Sequence, residues 1–390
     1  MQHRTPTPPA RRIACALAAG ARRFHRTTAA IAVALVTAAC GGGSGATAPV
    51  GTTPVTPPPS SATGTRGPAP ALHVQGNTLV DTAGRTVRLH GVNRSGTEYA
   101  CIQGYGIFDG PSDSASVAAI AAWNTNAVRV PLNESCWLAL DGVKPQYSGA
   151  TYQQAIADYV ARLNRAGLVA ILDLHWTGPG TTSKTGQAPM PNRDRTPEFW
   201  RQVAQRFGTN DAVIFDLFNE PWPDSNRDTP EAWRCWRDGG TCAGVSYTAA
   251  GMQELVTAVR GAGATNVLLL GGVEYAASLS GWLAARPTDP RNNLVAAWHV
   301  YSFSGCNVRS CWDATAAPVA AQAPLLLSEI GEDDGGSAFV GSLMDWMDAH
   351  QGSGYLPWSW DVWGTPMDLV SNYDGTATTY GATFRTRFSH

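Results

Sequence analysis

Two glutamates in this 390-residue chain close apolar runs in the same manner, Glu220 after Phe218-Asn219 and Glu329 after Leu327-Ser328. Two facing carboxyl groups can cleave a glycosidic bond, one protonating the departing oxygen while the other attacks the sugar carbon or activates water. That division of labour needs one acid kept protonated near neutral pH, by desolvation or a nearby negative charge, and one kept ionised. Arg129 and Tyr301, which could support the ionised form, also stand at the ends of apolar runs, as do Asn93, His175-Trp176, Asn219, Glu274, His299 and Trp358-Ser359-Trp360.

The elements that must position these residues alternate regularly. Apolar, β-branched runs at 86–92, 127–132, 168–174, 212–218, 266–271, 294–300, 324–330 and 355–361 read as eight strands. Between them, Tyr152 to Ala166, Pro197 to Phe207, Tyr247 to Ala262 and Ser337 to His350 place apolar residues at helical spacing. Alternating strands and helices imply an α/β protein with a parallel sheet, and eight units fit a closed (β/α)8 TIM barrel better than an open doubly wound sheet. No G-x-G-x-x-G follows the first run, which argues against nucleotide binding, and no short-period repeat is present. In such a barrel the active site lies where the strands end, and strands four and seven, carrying Glu220 and Glu329, face each other across the mouth. Ahead of the barrel, Leu72-His73-Val74 and Thr78-Leu79-Val80 predict a hairpin that caps its bottom, with a second turn at Ala83-Gly84-Arg85.

Five segments then appear in order: Val128-Arg129-Val130-Pro131, Leu172-Asp173-Leu174-His175, Phe218-Asn219-Glu220-Pro221, His299-Val300-Tyr301 and Ser328-Glu329-Ile330-Gly331. Through them the chain resembles glycoside hydrolase family 5, the cellulase family of retaining TIM-barrel enzymes. Each segment is weak alone; their order at successive strand ends makes the resemblance specific. It implies that Glu220 is the acid/base and Glu329 the nucleophile of a double displacement. It further implies that Asn219 binds the sugar 2-hydroxyl, that His175 and His299 line the catalytic subsite, and that neither metal nor organic cofactor is needed. Taken singly, Arg129 could be a plain barrel ion pair and either histidine a satisfied core residue.

Fourteen tryptophans exceed what a core of this size needs, and Trp137, Trp176, Trp222, Trp298, Trp358, Trp360 and Trp363 fall at or near the catalytic face. Their flat rings can stack on the C–H faces of sugars, although some must be packing. Trp176, Trp222, Trp358 and Trp360 are the candidate substrate-binding set. As strand residues two apart, Trp358 and Trp360 should share a face, so periodicity leaves open which one floors the catalytic subsite. Glu98, Glu134, Glu274 and Asp361, near loop tops, are read as solvated or structural rather than sugar ligands. Glu332-Asp333-Asp334 reads as a solvated loop in preference to a calcium site.

Charge is uneven along the chain. Residues 1–66 hold seven arginines and no acid, leaving 21 basic against 30 acidic residues beyond them, a difference of -9. Such a surface repels polyphosphate and carries no basic stripe with interleaved aromatics, which argues against a nucleic acid partner and is compatible with a neutral or cationic substrate, including the β-linked polysaccharide or oligosaccharide that the resemblance implies. Residues 1–28 are basic, Ala29 to Ala39 is a mostly apolar run, and small residues lead into Cys40, the layout of an export signal over 1–40. The run is too short for a spanning helix, which takes about 20 residues. Thr37-Ala38-Ala39-Cys40 resembles a bacterial lipoprotein box, with Thr37 in place of the usual Leu. A lipid on Cys40 would tether the chain to a membrane at the cell surface; an ordinary signal-peptidase site would leave it secreted.

Residues 41–70 are Gly, Ser, Thr, Ala and Pro with almost no large apolar side chains, and read as a disordered linker to one catalytic domain, 71–390, expected to be a monomer. The cysteines at 101, 136, 235, 242, 306 and 311 are even in number, and export favours disulfides. Their spacing favours Cys235 with Cys242, Cys306 with Cys311, and hence Cys101 with Cys136. A zinc site would need C-x-x-C spacing, which is absent.

The favoured function is endo-acting hydrolysis of a β-1,4-glucan such as cellulose or mixed-linkage glucan. A β-mannanase and an exo-β-1,3-glucanase are the alternatives within the same family, because loops set that choice. A non-catalytic surface carbohydrate-binding protein would be a different class of answer. It predicts loss of a carboxylate, and both are present.

Overall fold

The computed structural model of the chain describes residues 67–389, apart from 141, 182 and 183. The expected export signal over 1–40, the lipid site at Cys40 and the linker up to residue 66 lie outside the described residues.

Eight parallel strands close into a barrel: β1 (Leu89–Asn93), β2 (Ala127–Asn133), β3 (Val169–Trp176), β4 (Val213–Asp216), β5 (Leu268–Gly271), β6 (Leu294–Tyr301), β7 (Leu325–Gly331) and β8 (Gly354–Pro357). Each pairs with its neighbours in the chain and β8 returns to β1, the arrangement of a (β/α)8 barrel. Every residue of β2 and β7 is buried, as befits parallel strands covered on both faces. Outward residues such as Val128, Val130, Leu172 and Phe215 join the helices in one large apolar cluster. Their inward alternates, including Leu89, Ala127, Ile171, Ile214, Leu269 and Leu356, form a second cluster inside the barrel. At Gly91 a Cβ would run into the carbonyl of Ala127, so only glycine lets β1 and β2 approach there.

The hairpin pairs Leu72–Gln75 with Thr78–Asp81 in antiparallel register, and Leu72 and Leu79 belong to the inward cluster, so it closes the barrel's lower end. Asp81 holds the second turn, accepting from the backbone N–H groups of Ala83 and Arg85. The helices around the barrel include α1 (Ser114–Ala121), α2 (Gly149–Arg165), α3 (Thr196–Phe207), α4 (Pro230–Asp238), α5 (Met252–Gly261), α6 (Ala338–Ala349) and α7 (Thr379–Arg387). Helix α2 shows why the pattern was readable, since Tyr152, Ile156, Tyr159, Val160 and Leu163 form its buried face. Among the described residues no helix is long and apolar enough to cross a membrane.

Two expected elements differ. The helix expected from Tyr247 begins at Met252, because Ala249–Ala250 pairs antiparallel with Gly239–Gly240. The last strand ends at Pro357, not 361, because the Ser359 N–H turns to Met367 O and Leu369 returns a bond to Ser359 O. Trp358 and Trp360 therefore lie beyond the strand, and the expectation that they share a face fails.

Among the described residues, three disulfides join Cys101 to Cys136, Cys235 to Cys242, and Cys306 to Cys311, the pairs expected from spacing. The first ties the segments after β1 and β2; the third closes the loop after β6.

Candidate active site

Strand alternation builds the site in layers. Above the apolar plug, the inward positions carry Asn93, Arg129, Asp173 and Asp216, all fully buried. Arg129 donates from Nε to Asp216 at 2.8 Å, from Nη1 to Glu329 at 2.6 Å and Asn93 at 3.1 Å, and from Nη2 to Asn219 at 2.8 Å. Asp173 lies 3.1 Å from the same Nη2. Burial alone would favour a neutral guanidinium, but Asp173, Asp216 and Glu329 outweigh it and raise the Arg129 pKa. Burial likewise raises Asp216, against the pull of Arg129.

Glu329 closes β7. Besides Arg129 it accepts from the Tyr301 hydroxyl at 2.5 Å, so each of its oxygens faces a donor. Tyr301 arrives at the end of β6, where the register pairs it with Gly331; a Cβ at 331 would meet the Tyr301 ring.

Glu220 lies beyond the end of β4, its side chain 13% exposed. Burial pushes its pKa up to about 7, against the opposing pull of His175 and a hydrogen bond from Gln187 at 2.9 Å. His299 Nδ1 is 3.0 Å from Glu220 Oε1 and its Nε2 is 3.0 Å from Ser328 Oγ. Burial brings His299 down to about 4, so it is neutral at physiological pH. A neutral imidazole offers one donor and one acceptor; donation from Nε2 to Ser328 and acceptance at Nδ1 from protonated Glu220 satisfies every group. His175 behaves oppositely. Burial lowers its pKa, but the charge of Asp173 and a 2.6 Å hydrogen bond to it prevail and raise it to about 9.

One oxygen of Glu220, one oxygen of Glu329 and Nδ1 of His299 all lie within 4.8 Å of one another. The structure thus brings together all seven polar residues singled out from the sequence: Arg129, His175, Asn219, Glu220, His299, Tyr301 and Glu329.

The aromatic candidates divide. Trp358 stacks on His175 with ring centroids 5.6 Å apart and is partly exposed. Trp360 is fully buried, edge-on to Trp123 at 4.7 Å. Trp358 is therefore the ring beside His175 and Trp360 is core. Trp222 stacks on Tyr275 at 5.6 Å, and the Tyr275 N–H donates to Pro221 O, which keeps this pair next to Glu220. Trp176 and Trp363 flank Tyr99 at 6.4 and 6.1 Å. Trp137 and Trp298 are buried packing residues.

The remaining acids are structural rather than solvated. Glu98 accepts from Ser95 and Gly96, Glu134 from Asn192 and Thr196, and Asp361 faces Arg94 at 3.5 Å. Glu332 is buried and accepts from the Phe339 and Val340 N–H groups at the start of α6, which corrects its reading as a solvated residue; Asp333 and Asp334 are exposed. Glu274 is partly buried. Sequence reasoning missed Asp173 and Asp216, although an acid inside an apolar run was a usable signal. Gln187 and Ser328 carried none.

A family model, Cellulase (glycosyl hydrolase family 5), matches residues 80–365. The chain belongs to glycosyl hydrolase family 5. Its relatives in that family include the manganese dependent endoglucanase Eg5A of Phanerodontia chrysosporium, 30% identical over 249 residues that cover 60% of this chain and 55% of that protein. The mannan endo-1,4-beta-mannosidase of Cellvibrio japonicus is 23% identical over 278 residues, covering 68% of this chain and 56% of that one. The chain thus spans about half the length of these relatives. Among solved structures, the β-glucanase SdGluc5_26A of Saccharophagus degradans in complex with cellotetraose matches with a TM-score of 0.64 at 20% identity, over 86% of this chain and 97% of that one. The mannanase catalytic domain of Streptomyces sp. SirexAA-E matches with a TM-score of 0.57 at 22% identity, over 84% and 92%.

Proposed function

We propose that this family 5 domain is a retaining endo-β-1,4-glucanase, with Glu220 as acid/base and Glu329 as nucleophile. The observation that carries this reading is the closeness of the two carboxyl groups, whose nearest ligand oxygens lie within 4.8 Å. Retaining glycosidases hold their pair about 5–5.5 Å apart, whereas inverting enzymes need about 6.5–9.5 Å to admit a water.

The chemistry follows from the surroundings of each acid. Protonated Glu220 donates to the departing glycosidic oxygen while Glu329, oriented by its hydrogen bonds from Arg129 and Tyr301, attacks the anomeric carbon and forms a glycosyl ester. Ester formation removes the charge on Glu329, which lowers the proton affinity of Glu220, so Glu220 then takes a proton from the incoming water. Asn219, fixed by Arg129 through its Oδ1, turns its Nδ2 to the sugar 2-hydroxyl, a contact that strengthens in the transition state. Trp358 beside His175 and Trp222 two residues after Glu220 are partly exposed rings that suit the faces of a sugar chain.

The glucan substrate draws support from the endoglucanase relatives and from the cellotetraose-bound neighbour. A β-mannanase is the second reading, because the mannosidase relative aligns with more of this chain than the endoglucanase Eg5A does, 68% against 60%. A panel of carboxymethylcellulose, barley β-glucan, mannan, xyloglucan and laminarin, with products sized, separates these readings and also detects exo cutting. Glu329→Gln should abolish turnover while leaving polysaccharide binding largely intact; wild-type-like turnover in that variant would remove the assignment.

We further propose an exported monomer, tethered through a lipid on Cys40. Three disulfides suit an oxidising compartment, and the basic, apolar and small-residue layout of residues 1–40 supports export. Mass spectrometry of the mature N-terminus tests the lipid.

A further inference from the structure

We propose that Glu220, His299 and Glu329 also form a binding site for a divalent transition-metal ion, and that an ion seated there bridges the two acids and blocks turnover. His299 Nδ1 is 3.0 Å from Glu220 Oε1 and 3.7 Å from Glu329 Oε2, and the three ligand atoms lie within 4.8 Å of one another. An ion that binds nitrogen and oxygen at about 2.0–2.2 Å fits between donors spaced in this way after small side-chain adjustments.

The imidazole is prepared as a ligand. Its Nε2 faces Ser328 Oγ at 3.0 Å, and that contact, with Nε2 as donor, fixes the tautomer and directs the Nδ1 lone pair between the carboxylates. An outer partner on the second ring nitrogen is the usual device for orienting a metal-bound histidine. His299 is 1% exposed and held on β6, so the ligand is rigid as well as oriented.

Charge favours a cation. Two positive groups face the site, Arg129 and His175, against four acids, Asp173, Asp216, Glu220 and Glu329, and Glu220 gives up its proton when the ion binds, as a carboxylate ligand must. Arg129 and His175 are engaged by Asp173 and Asp216 before the catalytic pair is counted.

The donor set also selects the ion. One imidazole and two carboxylates suit zinc, manganese or copper, with water completing the coordination. Magnesium and calcium prefer all-oxygen sites with more ligands, so they bind more weakly here. The bridged ion occupies the space between acid and nucleophile that a glycosidic oxygen must enter, so ion and substrate exclude each other.

Binding rests on the geometry alone; only its effect on turnover rests on the reading of Glu220 and Glu329 as the catalytic pair. The test uses tag-free, chelator-treated protein, titrated with Zn²⁺ by calorimetry and with Mn²⁺ by electron paramagnetic resonance. One ion per chain should bind tightly. Glu220→Gln and His299→Ala should each weaken binding by at least the roughly 10–100-fold that loss of even an outer metal-site partner costs. Circular dichroism and thermal melting identify any variant that fails to fold, and the nearly isosteric Glu220→Gln guards against that outcome. Wild-type hydrolysis of soluble β-glucan should fall in step with Zn²⁺ occupancy and return on chelation. Binding unchanged in folded variants, no binding at millimolar Zn²⁺, or activation by the ion would each overturn the proposal. Failure of the functional reading looks different: chelated wild-type protein would cleave no polysaccharide while the binding measurements still reported the site.

Discussion

Arg129 Nη1 lies 2.6 Å from Glu329 Oε1, joining the end of β7 to the middle of β2 through a guanidinium with no solvent exposure. The same group also contacts Asn93, Asp173, Asp216 and Asn219, five partners that only a planar fork can serve at once. Arg129 therefore positions the proposed nucleophile and also neutralises a buried acidic layer.

Two substitutions separate those roles. Arg129→Lys keeps a charge but cannot reproduce the fork, and should lower kcat/KM by on the order of 100-fold or more. Arg129→Met leaves Asp173 and Asp216 buried without their cation and should cost about 3–5 kcal/mol of stability, read by urea unfolding. A lysine variant with unaltered turnover would sink the positioning role.

The acid has its own signature. With its pKa raised to about 7 by burial, Glu220 loses its proton as pH climbs through that value, so kcat/KM on β-glucan should decline on the alkaline side with a midpoint near pH 7. Glu220→Gln should remove that limb and lower glucan hydrolysis by about 10²–10⁴-fold. An aryl glycoside whose leaving group needs no proton should lose far less in the first step. A pH–rate profile with stopped-flow release of the aryl group measures both, and an alkaline limb surviving in the variant would assign it to another residue.

Much of the barrel is legible because both faces of a parallel strand are buried. Val128 to Leu132 and Ala170 to Leu174 stand out as apolar runs, and the polar residue that interrupts or follows each marks a deeper layer or the mouth. Periodicity does not carry the handover from strand to loop. At 355–361 it extends a strand through Trp360, whereas Ser359 in fact pairs with the following segment, at Met367. Nor does it carry contacts between strands. Asp173 and Asp216 become part of the site only through the register that sets Pro131, Asp173 and Asp216 side by side, next to Arg129. Gln187 reaches Glu220 from a segment with no periodic pattern at all.

The split between the two tryptophans is directly measurable. Trp358, partly exposed and stacked on His175, should lose about tenfold in kcat/KM when changed to alanine, with little loss of stability. Trp360, buried against Trp123, should cost about 3–5 kcal/mol as Trp360→Ala. Activity assays on the folded fraction, paired with urea midpoints, distinguish them; the reverse pattern would exchange their roles.

Glu134 makes stability depend on pH. It is fully buried after β2, accepting from Asn192 at 2.7 Å and Thr196 at 2.6 Å, and burial raises its pKa from 4.5 to about 7 despite those bonds. Between the two values the folded state binds more protons than the unfolded chain, so stability falls as pH rises. The contribution is complete below about pH 4.5 and is lost on passing pH 7, up to about 3 kcal/mol in all. Glu134→Gln keeps an acceptor for Asn192 without a titrating group. Wild type and variant should therefore differ least at pH 5, and the variant should gain on the wild type by pH 8, because the other titrations are shared and cancel in the comparison. Urea unfolding at the two pH values reads the gap directly. An equal gap at both would mean that Glu134 carries the same charge throughout, and its buried bonds to Asn192 and Thr196 would then be those of a carboxylate.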